Sequence, residues 1–280
     1  NTTGYYNNAI GLGALGNNTT GYGINAFGAY ALYNNTTGNH NNALGLGALE
    51  KNTTGGYNTA MGWEALKCNI TGHHNTGLGY RTLYLANSGD NNFAAGQCAL
   101  YNNWGGCDNV AIGRYGLFSN TTGETNNAIG YGALCSNTSG HYNNAIGWGA
   151  LCSNTTACYN TALGYAALKS NTEGKYNNAI GYRVLCSNTT GLYNNALGDS
   201  ALCANTTGCY NSAIGCGALY TNTTGCNNQA IGQFALKNSL SGNDNFAGGH
   251  NALCNNWGGS GNVALGGSAT PSQVDKFAET

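Results

Sequence analysis

The residues of this chain best suited to chemistry are its cysteines, twelve of them. Thiols at that density, with no catalytic signature around them, point to disulfides and an oxidising compartment. Cys135 and Cys152, Cys186 and Cys203, and Cys209 and Cys226 each stand seventeen residues apart. If the chain coils once per seventeen residues, stacking brings each pair to a Cα separation of about 4.8 Å, within disulfide reach. Pairing across a turn, Cys152 with Cys158 and Cys203 with Cys209, is the alternative, and the spacing leaves both open. Metal binding ranks behind both. No Cys-x-x-Cys spacing occurs, and the one mixed cluster, Cys68 with His73 and His74, is a poor match to known ligand spacings.

A second chemistry is modification of asparagine. The sequon Asn-x-Ser/Thr recurs at Asn18, Asn35, Asn52, Asn69, Asn120, Asn137, Asn154, Asn188, Asn205 and Asn222. Glycans at every one would crowd one another, so these residues read first as turn formers carrying a threonine ladder, and second as N- or O-linked sites. Gly11 to Gly16 spells GxGxxG, but no strand, helix or distal acid accompanies it. No Ser/His/Asp, Cys/His or paired-carboxylate arrangement stands out either. No enzyme activity, cofactor or metal site is expected.

All of these residues sit in one repeating frame. Asn126 to Tyr142 reads NNAIGYGALCSNTSGHY, and steps of seventeen residues from Ala145 land on alanine at fifteen of sixteen places, Gly77 being the exception. Two residues on, glycine holds all sixteen places, Gly11 to Gly266. Leucine recurs in fifteen rungs, Leu15 to Leu253, with Thr270 in the last. A fixed short period without insertion marks a repeat architecture. Seventeen residues are too few for two packed helices and suit one rung of a stacked sheet. The expected fold is all-β: a single parallel β-solenoid of about sixteen rungs over residues 1–269, then a non-repeat tail at 270–280.

With each rung numbered as Asn1 to Asn17, positions six to ten and twelve to sixteen have strand length. They flank the glycine of position eleven, a corner where positive φ or a close backbone approach excludes a Cβ. The glycine of position four fits a left-handed residue closing the Asn-Thr-Thr turn. Position ten (Ile10, Phe27, Leu44, Met61, Leu78, Ile112, Ile129, Ile146) and the leucines are expected inside, which turns Ala9 and Ala14 outward. The alternative has the alanines in a thin core and the large aliphatics against other protomers. Position seven, asparagine in all rungs but that of Ile24, reads as an amide ladder. Tyr142, Tyr159, Tyr176, Tyr193 and Tyr210 share one column, and Tyr131, Trp148, Tyr165 and Tyr182 another. Both read first as stacked ladders and second as a sugar-binding strip.

Charged residues make up 7 % of the chain and the net charge is −1, so there is no basic field for nucleic acid. No apolar run is long enough to span a bilayer. Asn91-Asn92-Phe93 with Asn102 to Gly106 recurs as Asp244-Asn245-Phe246 with Asn255 to Gly259, an offset of 153 residues that indicates a nine-rung duplication. The first rung is already in consensus and no unit resembles a cap, which predicts head-to-tail stacking of copies.

Asn143 to Leu151, with Asn-Asn-Ala-Ile-Gly followed by a small residue and Leu, resembles the head repeats of trimeric autotransporter adhesins of the YadA type. Repeats of some phage tail-fibre and surface proteins are similar; against the adhesin pattern, the resemblance makes this a seventeen-residue variant that departs in rung length and in its many cysteines. The resemblance implies a left-handed β-roll, a trimer, and a binding surface displayed at a cell exterior; it carries over no ligand-binding residue. The expected function is an extracellular structural repeat protein, at a cell or virion surface, that stacks end to end into a filament or fibre. Its expected partner is itself, with glycans as candidate covalent partners. An adhesin or tail-fibre shaft that binds glycans or a host surface is the alternative. An ice-binding solenoid comes third, because the paired threonines are adjacent in a turn rather than alternating on a flat strand.

Overall fold

Left-handed residues decide the shape of each rung. Positions six, thirteen and fifteen take positive φ rung after rung, as in Tyr176 at 57°, Arg183 at 52° and Leu185 at 49°. Two such residues in close succession cannot continue a strand. Positions twelve to sixteen, expected as a second strand, therefore form consecutive turns. Ala14 N–H donates to the Gly11 carbonyl at 3.2 Å and Asn18 N–H to the Leu15 carbonyl at 3.3 Å. Only positions eight to ten remain extended, giving one three-residue strand per rung.

The structure, a computed structural model, describes residues 2–270. The non-repeat tail expected at 270–280 lies, from Pro271 on, outside the described residues. The chain divides into two units, Asn1–Asn143 and Asn144–Thr280. In the first, strands β1 (Asn8–Ile10) to β8 (Asn127–Ile129) follow one per rung. Each pairs parallel and in register with the next, as Ala9 with Ala26 and Ala111 with Ala128. In the second, β9 (Asn144–Ile146) to β16 (Val263–Leu265) repeat the arrangement, from Ala145 with Ala162 to Ala247 with Ala264. The turns are laddered too: Leu32 N–H donates to the Ala48 carbonyl at 3.0 Å and Thr36 N–H to the Thr53 carbonyl at 3.0 Å. Both units are thus parallel β-solenoids of seventeen-residue rungs, and no helix occurs among the described residues.

The core corrects the expected facing. Alanines of positions nine and fourteen are buried with the leucine, as Ala179, Ala201 and Leu202 show, whereas position ten faces outward, Ile146 being 41 % exposed. The left-handed φ at position fifteen swings the leucine inward beside the alanine at position fourteen. There it reaches the strand: a Cβ at Gly77, where other rungs carry alanine, would lie 3.4 Å from Leu66 Cδ1. A rung with one strand has width for a leucine against a methyl, not for leucine against isoleucine.

The corner glycines behave as expected at position eleven. Gly113 has φ +123°, and a Cβ there would sit 2.7 Å from the Gly130 carbonyl oxygen of the next rung. Position four is different. None of its described glycines has positive φ. Glycine is needed there for space, since a Cβ on Gly21 would approach the Gly38 carbonyl oxygen to 2.6 Å and Asn35 Nδ2 to 2.8 Å.

Two asparagine ladders complete the interior. At position seven, Asn177 Nδ2 donates to the Gly191 carbonyl at 2.8 Å, while its Oδ1 accepts from Asn194 N–H at 3.0 Å and Nδ2 at 3.1 Å. At position one, Asn188 Nδ2 donates to Asn171 Oδ1 at 2.8 Å and to the Gly191 carbonyl at 3.1 Å, and its Oδ1 accepts from Asn205 Nδ2 at 2.8 Å. Buried amides must be paired in this way. The exceptions prove to be breaks in the ladder. Asn69 Oδ1 and Asn222 Oδ1 are buried without a partner, and the residues one rung on, which would donate to them, are Ala86 and Ser239.

Candidate interaction surface

The strand face carries a row of large aliphatic side chains that the core leaves outside. From Ile146 to Ile231 the six position-ten residues are 39–47 % exposed, one aliphatic group per rung. Beside them at position eight runs a surface amide ladder, in which Asn178 Nδ2 donates to Asn195 Oδ1 at 2.8 Å. No strand residue in either unit is ionisable. The face is therefore an apolar row edged by neutral polar groups.

The left-handed φ of position six turns its side chain outward into the expected tyrosine column. Tyr159, Tyr176, Tyr193 and Tyr210 stack with centroids 5.0, 4.8 and 5.1 Å apart and planes within 3–6°. Trp148, Tyr165 and Tyr182 stack likewise at 4.9 and 5.2 Å. Rings stacked along the solenoid cover one another's faces and present edges to solvent. A sugar packs on a ring face, so this geometry suits a stabilising ladder better than a carbohydrate strip.

Position five, which looks variable in the sequence, has a shared task. In many rungs its side chain accepts a hydrogen bond from the position-five N–H of the preceding rung. Tyr22 donates to Asn39 Oδ1 at 3.0 Å, Gly56 to His73 Nδ1 at 3.0 Å, and Asn243 to Ser260 Oγ at 2.9 Å. Cysteine serves the same way, Leu192 donating to Cys209 Sγ at 3.3 Å and Cys209 to Cys226 Sγ at 3.2 Å.

The candidate cysteines separate on this geometry. Cys209 and Cys226 each donate back into their own turn, to the carbonyls of Thr207 and Thr224. Cys186 and Cys203, by contrast, are buried with sulfurs 2.9 Å apart. Cys135 and Cys152 are half-buried at position sixteen of rungs in different units. Across the turn, Cys158 donates to the Thr156 carbonyl at 3.5 Å.

The position-one asparagines named as sequons are the buried ladder just described, Asn18, Asn35, Asn52, Asn69, Asn120, Asn137, Asn154, Asn188, Asn205 and Asn222 among them. A glycan would replace a hydrogen on an Nδ2 that has no access to solvent, so the folded rung has no place for it. The threonine ladder is present: Thr189 Oγ1 donates to the Thr206 carbonyl at 3.1 Å and Thr206 Oγ1 to the Thr223 carbonyl at 3.0 Å.

Charge is concentrated at one spot. Lys67 Nζ lies 2.7 Å from Glu64 Oε1 and 3.4 Å from Glu50 Oε2, and Arg81 Nε lies 2.7 Å from Glu64 Oε2. Burial pushes the Glu64 carboxyl up, but hydrogen bonds from Lys67 and Arg81 outweigh it and hold the group below its ordinary range. His73 accepts from Gly56 N–H and His74 stacks on Tyr57 at 4.9 Å, which gives both a structural place. Among the described residues no group of three or more His, Cys, Asp or Glu could hold a metal ion, and no helix is long and apolar enough to cross a membrane.

No protein-family model matches the chain, and no curated protein matches it. What the fold defines is a class: a parallel β-solenoid repeat protein whose rungs are held by amide, hydroxyl and aromatic ladders.

Proposed function

We propose that this protein is a structural segment of an extracellular fibre, built from copies of itself. The observation that carries this reading is the unbroken apolar row on the strand face. The half-exposed aliphatics from Ile146 to Ile231, with Trp148, Tyr165 and Tyr182, leave on the order of 500 Å² of apolar surface. That is at the upper end of what monomers leave uncovered. A second copy offers the same row at the same spacing, so the two interdigitate over their length, whereas an unrelated surface matches few rungs. The strand residues themselves carry no charge, so the row gives an oppositely charged partner nothing to read.

End-to-end growth is the second half of the proposal. Every rung bonds to the next through the same backbone ladder, and a rung of one copy can continue that ladder on another. The likeness of Asn143 to Leu151 to YadA-type head repeats, and the abundance of cysteine, favour a surface-displayed role. Negative-stain electron microscopy of the purified chain at increasing concentration tests it. Rods or filaments are expected, and particles that stay single at all concentrations would refute assembly.

A further inference from the structure

The thiols of Cys186 and Cys203 face each other. Cys186 Sγ lies 2.9 Å from Cys203 Sγ, closer than two sulfurs rest without a shared proton or a bond, and 3.5 Å from the Cys203 carbonyl. They occupy position sixteen on consecutive rungs, where stacking sets a Cα separation a disulfide accepts. Cys209 and Cys226 have the same spacing but spend their sulfurs on backbone partners.

Cys186 also lines a groove of about 340 Å³. The stacked rings of Trp148, Tyr165 and Tyr182 form part of its wall, with Lys169, Arg183 and Ser187 beside them. Lys169 Nζ sits 5.5 Å from the Trp148 ring, and no acid lines the groove. The groove thus joins two cations to a thiol. The hydrogen bond from Cys203 pulls the Cys186 thiol down against the opposing effect of burial, with Ser187 and Arg183 adding to the pull. Cys203 is pushed up, by that hydrogen bond and by burial, with Asp199 adding to the effect.

We propose that Cys186 and Cys203 are a redox-active dithiol that closes to an inter-rung disulfide by exchange with an anionic small-molecule disulfide of the glutathione class, admitted through the Lys169–Arg183 groove. The Cys186 thiolate attacks one sulfur of the reagent, whose S–S bond breaks and releases one thiolate. Cys203 then gives up its proton and attacks the Cys186 sulfur of the mixed disulfide, releasing the second thiolate. Two protein thiols are oxidised by two electrons, the reagent is reduced to two thiols, and those take up the two protons lost. Cys186 is the entry point because it carries the thiolate and meets the groove.

The test is to treat the reduced full-length protein with oxidised glutathione or with cationic cystamine, quench by alkylation, and map the products by mass spectrometry. A Cys186–Cys203 linked peptide is expected, formed roughly tenfold faster with oxidised glutathione through electrostatic steering. Arg183→Gln should remove most of that preference, and Cys203→Ser should trap glutathione on Cys186. The proposal is overturned if Cys186 and Cys203 stay alkylatable while other cysteines oxidise, if Cys203→Ser yields no adduct at Cys186, or if cystamine reacts as fast as oxidised glutathione. Circular dichroism of both variants separates these outcomes from loss of fold.

Discussion

An asparagine inside each turn of this solenoid does the work that a hydrophobic side chain does in a wider core. Asn177 donates to the Gly191 carbonyl and accepts from the Asn194 N–H of the next rung. Its Nδ2 also donates to Asn160 Oδ1 of the rung before at 3.3 Å, so its amide is paired on both sides. Asn177→Asp removes the donor and buries a carboxylate; a loss of at least about 2 kcal/mol is expected in urea unfolding. Asn178→Asp, one residue on and exposed, should change stability by about 0.5 kcal/mol or less. The ladder breaks make the reverse prediction. Ser239→Asn supplies a donor to the orphaned Asn222 Oδ1 and should stabilise the chain by about 1 kcal/mol, read as a higher urea midpoint at unchanged slope. The same burial predicts that Asn188 and Asn205 carry no glycan when the folded protein is secreted from a glycosylating host, which intact-mass analysis would show.

At the scale of the rung, glycine and ion pairs hold separate places. Gly232, at φ +131° with a virtual Cβ 2.6 Å from the Gly249 carbonyl oxygen, should not tolerate alanine, and Gly232→Ala is expected to cost about 3 kcal/mol or more. Gly258 has open space around it and no positive φ, so Gly258→Ala should leave the melting temperature unchanged. The Glu64 cluster gives a pH dependence. Because the Glu64 carboxyl is held below its ordinary range, its contribution is fully present above the ordinary carboxylate pKa of about 4 and is lost as pH falls through the lower folded value. Glu64→Gln should therefore flatten the fall of melting temperature in that acid window.

The period, the parallel stacking, the corner glycine and the position-seven ladder were all legible in the sequence, because each rests on one residue type recurring at one spacing. The facing of position ten was not. It depends on left-handed backbone at positions thirteen and fifteen, where residues such as Arg183 and Leu185 announce nothing about φ. The five glycines of position thirteen, Gly13, Gly47, Gly132, Gly149 and Gly217, were the only trace. Position five stayed hidden for another reason: Asn, His, Asp, Cys and Ser look unrelated until one sees that each offers an acceptor to the same N–H.

Across the whole molecule, the two units repeat each other's irregularities as well as their consensus. Ala86 and Ser239 interrupt the position-one ladder at an offset of 153, and Trp104 and Trp257, at the same offset, are 60 % and 62 % exposed. Each unit also carries an apolar strand row, and in the second unit it runs unbroken from Ile146 to Ile231. The most direct test is light scattering on the wild-type chain beside an Ile180→Lys/Ile214→Lys variant, with circular dichroism confirming that both are folded. The account predicts a multimer for the wild type and a markedly smaller assembly for the variant, since both side chains lie outside the core and on the apolar row. A monomeric wild type, or a variant that assembles as well as the wild type, would contradict it.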